Sequence, residues 1–324
     1  MAILHYNQKS TRKIYIFNKQ KELNKLQIES EIVKFARTFG LNPHILSLKL
    51  NLPINRIMKI VNEIILKYNL FLFPIIHSSE FGLNKAIIWC EKSLVKYENA
   101  KKLIGPLGNI FRGDIEDRKF MLIFYVNTDY FEIYKTKLQD VFSKLNMPCD
   151  IHFITEIDRF INKETCYDFS QNKWICNEKI VKKEKIPRKN TLFSLDKGDV
   201  DLITNLQINP QIPYWKSIHY RHIKRVLKGF VYTLGNTNYI INIRYNEPAQ
   251  IIDNPYLLSA IRLDNGEVIA EYHMDLNGLK ELKGKLKNHR VIISVRDLHF
   301  AHGFSLPYEV FKDNKWVLPK IEIE

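Results

Sequence analysis

Apolar residues in the first part of the chain recur at helical steps. Ile28, Ile32, Phe35, Ala36 and Phe39 follow one another at three- and four-residue spacing, the period that lines one face of an α-helix. Gly40 is placed to end that helix. Asn42-Pro43 restarts the chain, because proline is pre-organised for a first helical turn, and residues 44–50 give a second, short helix. Asn51-Leu52-Pro53 breaks it. Residues 54–68 then form a third helix, with Ile54, Ile57, Met58, Val61, Ile64 and Ile65 apolar. Beyond it the pattern changes to apolar runs. Residues 70–76, 85–90, 109–112, 120–126 and 149–157 read as strands. Residues 94–103 and 130–145 read as helices, the first closed by Gly105-Pro106.

The second half repeats this order. Residues 199–207 predict a helix, with Asp196 as a candidate cap. Asn209-Pro210 echoes Asn42-Pro43. Residues 215–217 predict a very short middle helix and 219–231 a third, on Ile223, Val226, Leu227 and Phe230. Strands are expected at 239–243, 268–274 and 291–295, and helical segments at 255–260 and 276–286. Asn172-Lys-Trp174 and Asn314-Lys-Trp316 close the two halves in the same way. A repeat of this kind points to a duplicated unit.

Three helices, then a strand, then βαββαβ, predicts an α+β fold: two copies of a winged helix-turn-helix with a ferredoxin-like domain, paired as a pseudo-dimer. The expected divisions are a basic arm at 1–22 (with a short apolar patch at 14–17), a winged helix-turn-helix at 23–80 and a ferredoxin-like domain at 81–175. A basic linker at 176–194, a helix-turn-helix-like domain at 195–236 and a second ferredoxin-like domain at 237–324 complete the chain.

Composition narrows the partners. The 324 residues carry a formal net charge of +14, which favours a polyanion such as nucleic acid. No apolar run reaches 18 residues, so no membrane helix is expected. Residues 1–12 are polar and show no signal-peptide core, so a cytoplasmic protein is expected. Cys90, Cys149, Cys166 and Cys176 show no CxxC pairing and are expected to be reduced thiols, not zinc ligands.

In a helix-turn-helix the start of the third helix is left exposed to enter the major groove. That start carries Asn55, Arg56 and Lys59, with Asn62 one turn on. Arginine can bridge guanine and asparagine can bridge adenine. Arg221, Lys224 and Arg225 hold the corresponding place in the second half, and Arg56/Lys59 and Arg221/Lys224 share one charge spacing.

The order resembles the Lrp/AsnC (feast/famine) transcription regulators. The resemblance rests on Ile54-Asn-Arg-Ile-Met-Lys-Ile-Val61, Leu72-Phe-Pro-Ile-Ile76, the Glu80-Phe-Gly-Leu83 turn and the strand from Lys85. It implies a sequence-specific regulator of double-stranded DNA with a possible small-molecule effector, acting as a monomeric pseudo-dimer or a homodimer. Gly105-Pro106-Leu-Gly108 is a loose analogue of that family's effector turn, and Gln27-Ile28-Glu29 departs from its Asp-rich first helix.

No phosphate loop, HExxH or GxSxG is present, so neither an enzyme nor a cofactor is expected. His273, Asp297, His299 and His302 could ligate a metal, but they read as strand-face and loop residues, so no metal is expected. Two alternatives stay open. Siroheme decarboxylases look like Lrp/AsnC proteins, and there His219, Arg221 and His222 would serve substrate carboxylates. A plasmid or viral replication initiator can also carry two winged helices, though its nicking form needs a His-x-His pair that this sequence lacks.

Overall fold

A computed structural model of the protein describes residues 24–91, 109–113, 119–144, 146–187, 193–286, 289–295 and 305–318. The expected arm at 1–22, the helix at 94–103, the Gly105–Gly108 turn and Asp297, His299 and His302 lie outside the described residues. The fold is mixed α/β with antiparallel sheets.

The first three helices form as the periodicity predicts: α1 (Lys25–Phe39), α2 (Pro43–Leu50) and α3 (Ile54–Tyr68). Asn24 caps α1 in a reciprocal box with Gln27, which satisfies two otherwise orphaned backbone donors. Asn42 caps α2 and Pro43 opens it. Ile28, Ile32, Ala36, Leu46, Ile57 and Ile64 meet in one core. The Tyr68 hydroxyl donates to the fully buried Glu29 carboxylate at 2.9 Å and joins α1 to α3.

β1 (Phe71–Ile76) leads into β2 (Leu83–Cys90), β3 (Asn109–Gly113) and β4 (Phe120–Asn127). Then come α4 (Phe131–Lys144) and the long β5 (Cys149–Asn162). A small hairpin follows, β6 (Tyr167–Asp168) with β7 (Lys173–Trp174), and then β8 (Lys179–Lys185). The second half contributes α5 (Lys197–Ile208), α6 (Tyr220–Val226), β9 (Leu227–Thr233), β10 (Tyr239–Tyr245) and β11 (Leu257–Leu263). It ends with β12 (Val268–Met274), α7 (Leu276–Lys285), β13 (Arg290–Val295) and the hairpin β14 (Phe311–Lys312) with β15 (Lys315–Trp316).

The main sheet runs β13-β10-β12-β11-β5-β2-β4-β3, with β8 also paired to β5. Each half supplies four strands in the same relative order: second, third, first, fourth. The halves join where β11 pairs antiparallel with β5, Ser259 opposite Arg159 and Ile261 opposite Ile157. The sheet curls until β13 and β3, its two ends, come together. A separate ribbon pairs β1 with β9, Phe71 opposite Thr233, so the strands that follow the two helical units also meet. Phe230 and Tyr232 of β9 enter the core of the first helical unit.

Four expectations are corrected. The segment 255–260 is not helix: it is a turn at 255–256 running into the strand Leu257–Leu263, which is paired on both edges, to β12 and to β5. The 219–231 helix stops at Val226, where β9 begins and pairs with β1. Gly229 there has φ +111° and lies so close to α1 that a Cβ would sit 2.5 Å from the Arg37 carbonyl oxygen. Part of the basic linker, Lys179–Lys185, is a strand on β5, with Glu184 buried against Arg159 at 2.8 Å.

The fourth correction concerns the cysteines. Cys90 faces Cys149 across β2 and β5 and forms a disulfide with it; Cys166 forms the other with Cys176. The partners are distant in sequence or separated by a hairpin, so their spacing resembles no motif. A thiol assay on the unreduced, unfolded protein is expected to find no free cysteine. Reduction is expected to lower stability by about 2–4 kcal/mol per bridge, read as a drop in the denaturation midpoint; a full thiol count without reductant would exclude the bridges.

The repeated Asn-Lys-Trp segments form hairpins. Asp313 and Asn314 both adopt positive φ in the two-residue turn, and Asn172 does so in the longer one. Trp316 is buried, and its indole N–H donates to the Phe81 carbonyl at 3.0 Å.

Candidate functional site

Two features stand out: the exposed start of α3 and a charged cavity inside the curled sheet. α3 is anchored by Ile57, Ile60, Val61 and Ile64, which are buried, while Asn55, Arg56, Lys59 and Asn62 are exposed. The 3.6-residue period explains the division, since the apolar stripe turns inward and the intervening positions outward. Asn51, in the left-handed conformation, ends α2 and turns the chain toward α3. Arg56 and Lys59 therefore project from the first two turns of one helix.

The second unit differs. Its middle helix is reduced to one 3-10 turn, Tyr214–Lys216, and α6 has seven residues against fifteen in α3. Arg221, Lys224 and Arg225 are exposed, and Arg225 stacks over the Phe193 ring at 5.3 Å. The Tyr214 hydroxyl donates to the Phe39 carbonyl at 3.3 Å. The second unit thus packs against the first.

The cavity measures about 570 Å³ and is lined by strands of both halves, in the size range of small-molecule sites. Phe71 and Phe73 of β1, Tyr125 of β4 and Ile157 of β5 supply apolar walls. Lys85, Arg112, Arg159 and Glu271 supply charge. Burial lowers the Lys85 ammonium to about 8, because the charged form loses its hydration. Arg159 bonds Glu184 at 2.8 Å, and its buried Nε has no hydrogen-bond partner among the described residues. Burial raises the Glu184 carboxyl, but Lys85 and Arg159 outweigh that and hold it below its ordinary value.

Across the cavity, Arg112 of β3 lies 3.6 Å from Glu271 of β12. The His273 Nε2 is 2.8 Å from the same carboxylate, and its ring stands edge-on to Phe73 at 5.4 Å. Burial alone would raise Glu271; hydrogen bonding to His273 and the Arg112 charge instead bring it down to about 2. Charges retained in an apolar cavity are costly, which marks the place as a candidate site.

Sequence reading did not single out Lys85 as a functional group, nor Arg112, Arg159 or Glu271. The available signal was a charged residue within a long apolar strand: Lys85 in β2 and Glu271 in β12. His219 and His222, weighed for substrate carboxylates, do not line the cavity. They face Asp196 and Asp199 at the start of α5. His273 is buried within the sheet. Among the described residues no helix is long and apolar enough to cross a membrane.

No protein-family model matches the chain, and no curated protein matches it. Two solved structures are similar in layout. One is the crystal structure of the siroheme decarboxylase NirDL, at 12% identity and TM-score 0.42 over 88% of this chain and 96% of that one. The other is the same enzyme in co-complex with an iron-uroporphyrin III analogue, at 11% identity and TM-score 0.42 over 87% of this chain and 96% of that one.

Proposed function

We propose that the chain is a double-stranded-DNA-binding regulator in which α3 enters the major groove and the central cavity takes a small anionic effector. Its halves are then two winged helix-turn-helix units with ferredoxin-like sheets, fused as an asymmetric pseudo-dimer. The observation that carries the proposal is the start of α3: a complete helical unit buries one face of that helix and leaves Asn55, Arg56, Lys59 and Asn62 in solvent. Arg221, Lys224 and Arg225 on the shortened α6 contribute phosphate contacts more than base contacts. The net charge of +14 supports the same partner, since lysine and arginine neutralising phosphates supply most of the affinity for nucleic acid. Footprinting on the DNA upstream of the protein's own gene is expected to show a protected segment that disappears as salt is raised. Equal, salt-independent retention of every duplex would overturn the proposal.

A second reading makes the cavity a substrate site, as in a siroheme-decarboxylase-like enzyme. It is favoured by Lys85, whose ammonium sits at about 8 within one cavity with Arg112 and Arg159. Such a group can bind carboxylates and exchange a proton near neutral pH. An iron tetrapyrrole carboxylate added to the protein is then expected to shift its Soret band at one equivalent per chain. Lys85→Met is expected to weaken that binding roughly tenfold, about 1.4 kcal/mol, and Arg56→Ala to leave it unchanged. An unshifted Soret band would remove this second reading and leave the first standing.

A further inference from the structure

We propose that Asp196, Asp199, His219 and His222 form a site for one divalent transition-metal ion of the zinc class, which clips the start of α5 to the start of α6. One ligand atom from each residue lies within 4.8 Å of the other three. The His219 Nδ1 is 3.3 Å from Asp199 Oδ1 and 3.4 Å from Asp196 Oδ1, and the His222 Nδ1 is 3.1 Å from Asp199 Oδ2. Ligands at about 2.0–2.1 Å around tetrahedral zinc stand about 3.3 Å from one another. The three histidine–aspartate separations, 3.1–3.4 Å, are close to such an edge, and the whole set, within 4.8 Å, closes around an ion by small side-chain rotations.

The local sequence builds this arrangement from two i, i+3 pairs. Asp196 is the N-cap of α5, and the Asp199 backbone N–H donates to its carboxylate at 2.9 Å. His219 and His222 occupy the same offsets at α6. Between the pairs, Gly198 makes room: a Cβ there would lie 2.2 Å from the His219 Nε2. The Asp199 side chain is 1% exposed, so both imidazoles turn one nitrogen toward a buried carboxylate. Asp196 and His222 are about half exposed and leave an approach from solvent. Two carboxylates with two neutral imidazoles carry a charge of −2, which complements a divalent cation. Mixed nitrogen and oxygen donors favour zinc, cobalt or nickel over magnesium or calcium. The ion would brace a unit whose middle helix is one short turn, and none of its four residues lies on α3 or lines the cavity.

The test uses the full chain stripped with a chelator and titrated with cobalt(II) and then zinc(II). The expected result is one equivalent of cobalt with a tetrahedral ligand-field spectrum, displaced by zinc. Asp196→Asn keeps a residue that caps helices well, and His222→Gln keeps a polar side chain, so both are expected to fold, as circular dichroism will confirm. Each is expected to weaken cobalt binding roughly a hundredfold or more, above the effect of losing an outer-sphere partner. Absence of stoichiometric binding by the unmodified chain, or unchanged binding in both variants, would overturn the site.

Discussion

Arg56→Ala is expected to weaken binding to the specific duplex by roughly five- to a hundredfold, about 1–3 kcal/mol, and to relax base preference at one position of the site. Arg56 is exposed on the first turn of α3, while Ile57 beside it is buried. The substitution removes a forked donor without disturbing the core, so circular dichroism and the denaturation midpoint should stay unchanged. Lys59→Ala is expected to behave differently. It weakens binding to all duplexes alike and lowers the slope of log affinity against log salt by about one. Arg221→Ala, on the seven-residue α6, should show the smaller, sequence-independent loss of a phosphate contact. Gel shifts at three salt concentrations with matched and scrambled duplexes separate these outcomes. If Arg56→Ala and Lys59→Ala both bind as the unmodified chain does, α3 is not the recognition helix.

Glu271→Gln is expected to destabilise the fold by about 3–5 kcal/mol, the usual effect of removing one member of a buried charged pair. Arg112 lies 3.6 Å away with its side chain 8% exposed, and His273 is nearly inaccessible. Both would lose their anion. The modest exposure of Glu271 is toward the cavity it lines, so bulk water offers little relief. For a chain of this size each kcal/mol moves the thermal midpoint by about 1.5 °C, which makes a drop of about 4–8 °C the expected reading. The pH dependence has a defined sign. The folded-state value is depressed from 4.5 to about 2. The stabilisation is therefore complete above about 4.5 and disappears as pH falls toward 2, amounting to roughly 3 kcal/mol. Denaturation from pH 6 to pH 2 should show this loss in the unmodified chain and not in Glu271→Gln. Equal stability of the two proteins at neutral pH would show that the pair contributes nothing to the fold.

The elements that could be read from local pattern are those whose partners are near in sequence. α1, α2 and α3 came from period, caps and a proline. β4 came from an unbroken apolar run, and β12 and β13 from short apolar stretches with clear boundaries. The failures share one cause. Residues 257–263 and 227–233 satisfy a helical spacing of apolar positions, yet each finds a strand partner about a hundred or more residues away, β5 for one and β1 for the other. Lys179–Lys185 looks like a solvated charge run because its pairing with β5, and the Arg159–Glu184 contact that accompanies it, are not local. The Cys90–Cys149 bridge is hidden for the same reason, since the two are opposed only once β2 and β5 pair.

The sequence by itself determined the helical unit at 24–68, its exposed Asn55, Arg56, Lys59 and Asn62, and the repeated order of two halves. Periodicity settles which side chains a single helix turns outward, and no distant contact is needed for that. Only the tertiary structure decided how the halves join, through β5 with β11 and β1 with β9. The cavity follows from that joining: Lys85, Arg112, Arg159 and Glu271 lie on four different strands, and curling of the sheet brings them around one volume. The Asp196, Asp199, His219 and His222 cluster likewise needs two helix starts to meet. Spacing along a chain fixes the face of an element, whereas the meeting of faces depends on which long-range pairings bury the most apolar surface.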